Sequence, residues 1–265
     1  MYLIIINGTY MVVTAKSLSV FTCYCLRESI FPMLAIQPPK ATITTHDSWT
    51  SGPPLKAISS LNPPAVLNAE SLEVWRGGVC LFEGLDFTLE SGQVAIVSGA
   101  NGSGKTTLLR VLSGMSRAAD GSVTWRGEEI HRLDMENRLE ITYQGHMDGL
   151  KKEFTVEENL QFYQEINDGQ YPLEDLLDEL RLSPYRNRQV RYLSAGQRRR
   201  VALGCMKVKS AKLWLLDEPL TNLDARGAKL VSSWISEHAN AGGLAVVATH
   251  QRESLIQTAS IEIEL

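Results

Sequence analysis

The most constraining stretch of this chain is VAIVSGANGSGKTTLLRVL, where a short apolar run meets a glycine-rich octet and then a helix-forming segment. Val94–Ser98 reads as a buried strand and Lys105–Leu112 as a helix. Between them Gly99-Ala100-Asn101-Gly102-Ser103-Gly104-Lys105-Thr106 fits the pattern G-x-x-x-x-G-K-[ST]. Glycines there let successive backbone N–H groups converge on phosphate oxygens at a helix N-terminus, where the helix dipole also favours an anion. Gly99 through Thr106, with the adjoining Thr107, therefore form the candidate nucleotide site. Lys105 would reach the β- and γ-phosphates, and the Thr106 hydroxyl would coordinate Mg²⁺.

A strand–loop–helix unit of this kind belongs to a mostly parallel sheet covered by helices, and the pattern from Ala69 onward agrees. Residues 85–89, 94–98, 122–125, 213–216, 245–248 and 261–263 read as strands, and 105–112, 156–166 and 173–182 as helices. Thr155-Val156-Glu157-Glu158 is a capping box that opens the second helix. The expected class is α/β, with residues 69–265 as one domain and a helical segment, about 145–208, inserted between two sheet-forming halves.

Residues 1–68 differ in composition, being rich in Ser, Thr and Pro, and Lys16, Arg27, Lys40 and Lys56 outnumber Glu28 and Asp47. They are expected to be a poorly ordered extension: a targeting segment, or the result of a mis-assigned start, since Met11 and Met33 are available as later ones. The runs YLIIINGTYMVV and LSVFTCYCL are interrupted by polar residues before the ~20 apolar residues a membrane helix needs. No membrane span is expected.

A net charge of -4 argues against nucleic acid held by bulk electrostatics while leaving small anionic ligands open. Four cysteines, Cys23, Cys25, Cys80 and Cys205, are too few and too scattered for a disulfide framework or a zinc quartet.

Two further stretches carry chemistry. LWLLDE delivers Asp217 to the carboxyl end of an apolar strand, where the Mg²⁺ of a bound nucleotide sits, and Glu218 follows in reach of a γ-phosphate and its attacking water. LSAGQ places Ser194, Ala195, Gly196 and Gln197 at the start of a helix, where a hydroxyl, backbone N–H groups and a positive dipole present themselves to an anion. Arg198, Arg199 and Arg200 continue that helix and read as a solvated or ion-paired face.

With LSAGQ in place, residues 69–265 resemble the ATP-binding cassette family. The resemblance implies a P-loop ATPase fold with an antiparallel β portion beside the parallel core and an inserted helical subdomain. It implies ATP as substrate with Mg²⁺ held by Thr106 and Asp217, and Glu218 and His250 as catalytic residues, His250 contacting the γ-phosphate. Ser194 to Gln197 would face the nucleotide of a second copy, and Asp224, in TNLD, would face that copy as well. Trp75 is a candidate for stacking on adenine, with a core position as the alternative.

More narrowly, GQVAIVSGANGSGKTTLLRVLSG, GHMDGLKKEFTVEENLQFY, LSAGQRRRVAL, LWLLDEPLTNLDARG and GGLAVVATHQ, in that order, resemble the ATP-binding subunits of the bacterial cytochrome c maturation system. That implies a translocase of the haem-transporting class, a CcmB-type membrane subunit, and CcmC and CcmE in the wider complex. It also implies attachment through partners to the cytoplasmic face of the inner membrane, or to the mitochondrial inner membrane if the extension is a transit peptide. Another exporter or importer, or a regulatory protein that binds nucleotide without turnover, are the alternatives.

The stretch GHMDG, residues 145–149, occupies the place of the family's glutamine-bearing loop, which contacts the metal or the attacking water and meets the membrane subunit. Counting back from FTVEENL puts the glutamine position at or near Met147. Either Gln144 or His146 substitutes, or no side chain here senses the metal. His146 and Met147 are also ligand types for haem iron, although sequence neighbours rarely present both side chains to one iron.

Overall fold

The computed structural model describes residues 2–6, 9–15, 21–25 and 65–265, apart from 168–170, 252–254 and 256–257. The chain divides into two compact units, Met1–Lys56 and Ala57–Leu265. In the first, β1 (Tyr2–Ile6), β2 (Thr9–Ala15) and β3 (Phe21–Cys25) pair antiparallel in that order. For the rest of residues 1–64, the expectation of a poorly ordered or targeting extension lies outside the described residues.

The second unit runs β4 (Val66–Arg76), β5 (Val79–Glu90), β6 (Val94–Ser98), α1 (Lys105–Leu112), β7 (Asp120–Trp125), β8 (Glu128–Glu129), α2 (Met135–Leu139) and β9 (Ile141–Gln144). It continues α3 (Val156–Ile166), α4 (Leu173–Glu179), α5 (Ala195–Lys207), β10 (Leu213–Asp217), α6 (Ala225–Asn240), β11 (Leu244–Ala248) and β12 (Ile261–Glu264). Five strands form an all-parallel sheet in the order β12-β6-β11-β10-β9, and four form an antiparallel sheet in the order β5-β4-β7-β8. The mostly parallel core and its antiparallel portion are both present.

The central strands β6, β10 and β11 are buried at every position, as expected of parallel strands covered on both faces. Their residues alternate between two cores. Ala95, Val97, Leu213, Leu215, Leu244 and Val246 join Leu108, Leu109 and Leu112 of α1 and Leu67, Leu72 and Trp125 of the antiparallel sheet. Val94, Ile96, Trp214, Leu216, Ala245 and Val247 join apolar residues of α3 to α6, among them Leu160, Leu176, Leu203 and Trp234. The two faces of one sheet thus attach a layer of α1 with the antiparallel sheet and a layer of helices α3 to α6.

Several elements differ from the sequence reading, β5 for instance spanning Val79–Glu90 against the expected 85–89. The helix expected over 173–182 stops at Glu179, because Arg181 adopts a left-handed backbone with φ 55° that no helix accommodates. β4, at Val66–Arg76, is not among the strands expected from sequence, and it begins ahead of the expected domain start at residue 69. α6, with Val231, Trp234, Ile235 and Ala239 buried along one face, was not anticipated.

Candidate nucleotide and hydrolysis site

β6 lies between β12 and β11 and points its carboxyl end at the glycine-rich loop. Gly99, Gly102 and Gly104 take φ of 144°, 87° and 111°, a region closed to most side chains. A Cβ on Gly99 would stand 2.4 Å from the Leu265 carbonyl oxygen, so the first glycine also provides clearance. Gly104 is the N-cap of α1, and no side chain caps that helix. Its first-turn N–H groups are therefore left for an external acceptor. Lys105 is buried, and its ammonium donates to the Gly99 and Ala100 carbonyls, both at 2.9 Å. The buried Ser103 hydroxyl has no hydrogen-bond partner, as expected of a loop whose acceptor is a ligand.

β10 delivers Asp217 to the same end of the sheet, 3% exposed, where it accepts from the Thr106 hydroxyl at 2.9 Å. One hydroxyl and one carboxylate fit Mg²⁺, which takes few protein ligands and completes its shell with water and phosphate oxygens. No cluster of three or more His, Cys, Asp or Glu that would hold a metal by protein ligands alone occurs among the described residues. GHMDG is therefore not part of such a centre.

Glu218 follows with a left-handed backbone, φ 48°, fixed by its N–H donating to the Ala248 carbonyl at 2.8 Å. The Thr249 hydroxyl and the His250 N–H each lie 3.4 Å from Glu218 Oε2. His250 Nε2 is 3.6 Å from Oε1, an oxygen that is buried without a hydrogen-bond partner. Asn101, Gly102, Gly104 to Thr107, Asp217, Glu218, Thr221 and His250 line one cleft of about 480 Å³, with His146 at its side. Residues from four separate parts of the chain thus converge on one opening.

The other predicted residues fall elsewhere. Trp75 is half-exposed, so the core alternative is wrong; its indole N–H donates to Glu73, and the cleft wall takes Arg76 and Leu81 instead. Gln144 ends β9, buried, with its amide donating to the Gly145 carbonyl at 3.3 Å. It lines a second cleft of about 530 Å³ that shares Thr106 and Asp217 with the first. Met147, at the expected glutamine position, is 86% exposed, whereas His146 lines both clefts.

Ser194 to Gln197 do not line the cleft. They close a capping box on α5, with the Gln197 N–H donating to the Ser194 hydroxyl and the Ser194 N–H to Gln197 Oε1. Asp224 caps α6 by accepting from the Gly227 N–H, and that bond, with the Arg200 guanidinium at 3.0 Å, holds its carboxyl below the usual range.

Arg199 corrects the sequence reading. Rather than sitting on a solvated face it is 3% exposed, and it donates to the carbonyls of Gly145, Asp217 and Glu218. Nothing in the run RRR marks which arginine turns inward. Burial pushes its pKa down.

A family profile described as "ABC transporter" matches residues 82–221, and this chain belongs to that family. Its relatives include the cytochrome c biogenesis ATP-binding export protein CcmA of Nitrosococcus oceani, 41% identical over 74% of this chain and 91% of that protein. The protein of the same name from Nitrosomonas europaea is 39% identical over 76% of this chain and 95% of its own length. Among solved structures, an ATP-binding subunit of an ABC transporter superposes with a TM-score of 0.67 at 21% identity, covering 76% of this chain and 85% of its own. A putative ABC transporter ATP-binding protein from Pyrococcus furiosus gives 0.65 at 22%, with coverage of 76% and 97%. These two show the fold.

Proposed function

We propose that this chain is the ATP-hydrolysing subunit of an ABC transporter complex for cytochrome c biogenesis. The observation that carries the hydrolytic part is the convergence of the glycine-rich loop, the Thr106–Asp217 pair and the Glu218–His250 pair on one cleft. The transport context rests on the similarity to CcmA proteins across nearly their whole length.

In this reading Lys105 exchanges its two loop carbonyls for phosphate oxygens, and the uncapped N-terminus of α1 receives the same phosphates. Thr106 and Asp217 hold Mg²⁺, which when bound with ATP neutralises charge on the phosphates. Glu218 orients the attacking water and accepts its proton, with the partnerless Oε1 as the free acceptor. His250, half-exposed at the cleft mouth, contacts the γ-phosphate.

Two copies form two sites, each completed by Ser194 and Gly196 of the opposite copy, with Asp224 facing across. Closure on ATP and reopening after hydrolysis move a CcmB-type membrane subunit, with CcmC and CcmE in the wider complex, and drive release of haem-loaded CcmE. No helix among the described residues is long and apolar enough to cross a membrane. In this reading attachment to the cytoplasmic face of the inner membrane runs through those partners. The ATPase domain includes β4 and so begins ahead of the expected residue 69, and residues 145–208 form its helical subdomain.

Glu218→Gln tests the reading. ATP binding is expected to persist, turnover to fall by about 10²–10⁴-fold and the ATP-bound dimer to accumulate. Normal turnover in that variant removes Glu218 from the mechanism. Recovery of a membrane protein unrelated to cytochrome c assembly as the co-purifying partner replaces the transport context with another exporter or importer.

A further inference from the structure

Arg199 is a buried cation with no hydrogen-bonded carboxylate. Its ion-pair partner, Asp148 of the 145–149 loop, stands 3.9 Å from Nη1, beyond hydrogen-bond distance, and Nε is buried without a partner. Desolvating a guanidinium is costly, and an apolar side chain would fill this part of α5 at lower cost if packing were the only requirement. Its hydrogen-bond partners are three carbonyls: Gly145 at 3.1 Å, Asp217 at 3.1 Å and Glu218 at 2.8 Å. Two of these belong to the residues at the end of β10, and the third opens the loop that follows β9.

The shortest bond is to Glu218, whose φ of 48° is a conformation that persists only when its surroundings over-determine it. On the N-terminal side Glu218 is tied by its N–H to Ala248; on the C-terminal side Arg199 holds its carbonyl. Gly145 leaves room for the Tyr143 ring, which a Cβ there would meet at 2.9 Å.

We infer that Arg199 is a positioning residue: by gripping the Asp217, Glu218 and Gly145 carbonyls together, it sets the direction of the Glu218 carboxylate and makes that direction depend on the 145–149 loop. In a chain with Met147 where a glutamine was expected, this clamp from α5 links that loop to hydrolysis through the Gly145 carbonyl, with the Asp148 carboxylate of the same loop 3.9 Å from Arg199 Nη1. This inference rests on Glu218 being the residue that activates water.

The test uses the full chain and compares Arg199→Met, Arg199→Lys and Glu218→Gln for single-turnover ATP hydrolysis and for binding of a fluorescent ATP analogue. Arg199→Met is expected to lower the hydrolysis rate about 10²-fold, the effect of a displacement of roughly 1 Å in a reacting group, with affinity for the analogue unchanged. Arg199→Lys, which keeps the charge but lacks the fork, recovers part of that rate. If the Met variant does not fold, the Lys variant decides, with a rate loss at constant affinity expected. A wild-type rate in the deciding variant while Glu218→Gln is inactive overturns the inference, as does an equal loss of rate and affinity. A wild-type rate in Glu218→Gln instead overturns the reading beneath it.

Discussion

Two helices of this molecule begin in ways that suit an anion, and they leave their first turns in opposite conditions. α1 starts at Gly104, a left-handed residue with no side chain to offer, so no side chain caps its leading N–H groups. α5 starts at Ser194, whose hydroxyl accepts from the Gln197 N–H at 3.2 Å while Gln197 Oε1 accepts from the Ser194 N–H at 2.9 Å. Both ends carry the same dipole. The first opens into the cleft of its own chain; the second is satisfied by its own side chains and must exchange a bond before Ser194 touches a phosphate. That difference matches the roles proposed for them, one binding nucleotide within its own chain and the other only across a dimer.

The comparison can be broken most forcefully at Lys105. Lys105→Ala removes the ammonium from the cradle, and ATP affinity measured calorimetrically is expected to fall roughly 10- to 100-fold, the value of losing hydrogen bonds to a charged group. Unchanged affinity would mean that α1 is not the phosphate site. Gly104→Val probes the left-handed cap, where a Cβ would stand 3.1 Å from the Phe82 ring on a backbone at φ 111°. Denaturant unfolding should show a loss of about 1–3 kcal/mol, with weaker ATP binding. Ser194→Ala has the smallest effect on the isolated chain: loss of the capping box costs about 1 kcal/mol of stability and leaves single-chain ATP affinity intact, while ATP-driven dimerisation weakens. An affinity loss in Ser194→Ala comparable to that in Lys105→Ala would erase the distinction between the two helices.

Local signals made most of the cleft legible. The loop between Val94–Ser98 and Lys105–Leu112, the strand ending at Asp217 and the capping box of α3 are each contained within a dozen residues or so of sequence, and each lies where its pattern placed it. β4 was harder, because register shifts at Ala69/Leu72, Leu72/Val74 and Val74/Trp75 break the alternation by which a strand is recognised. α6 did leave a signal, Asp224 as N-cap followed by Val231, Trp234 and Ile235 at helical spacing, and was recoverable from it. Arg199 left none. Its three acceptors are main-chain atoms 54, 18 and 19 residues away, and carbonyls have no sequence signature.

The left-handed backbone at Glu218 sets stability against activity at a single position. Glycine adopts that conformation without strain, so Glu218→Gly would relax about 1 kcal/mol or more while discarding the carboxylate on which the proposed hydrolysis depends. Selection for thermal robustness alone would therefore drift toward a better-folded, inactive protein. A screen that reads only folded yield would count such a variant as an improvement.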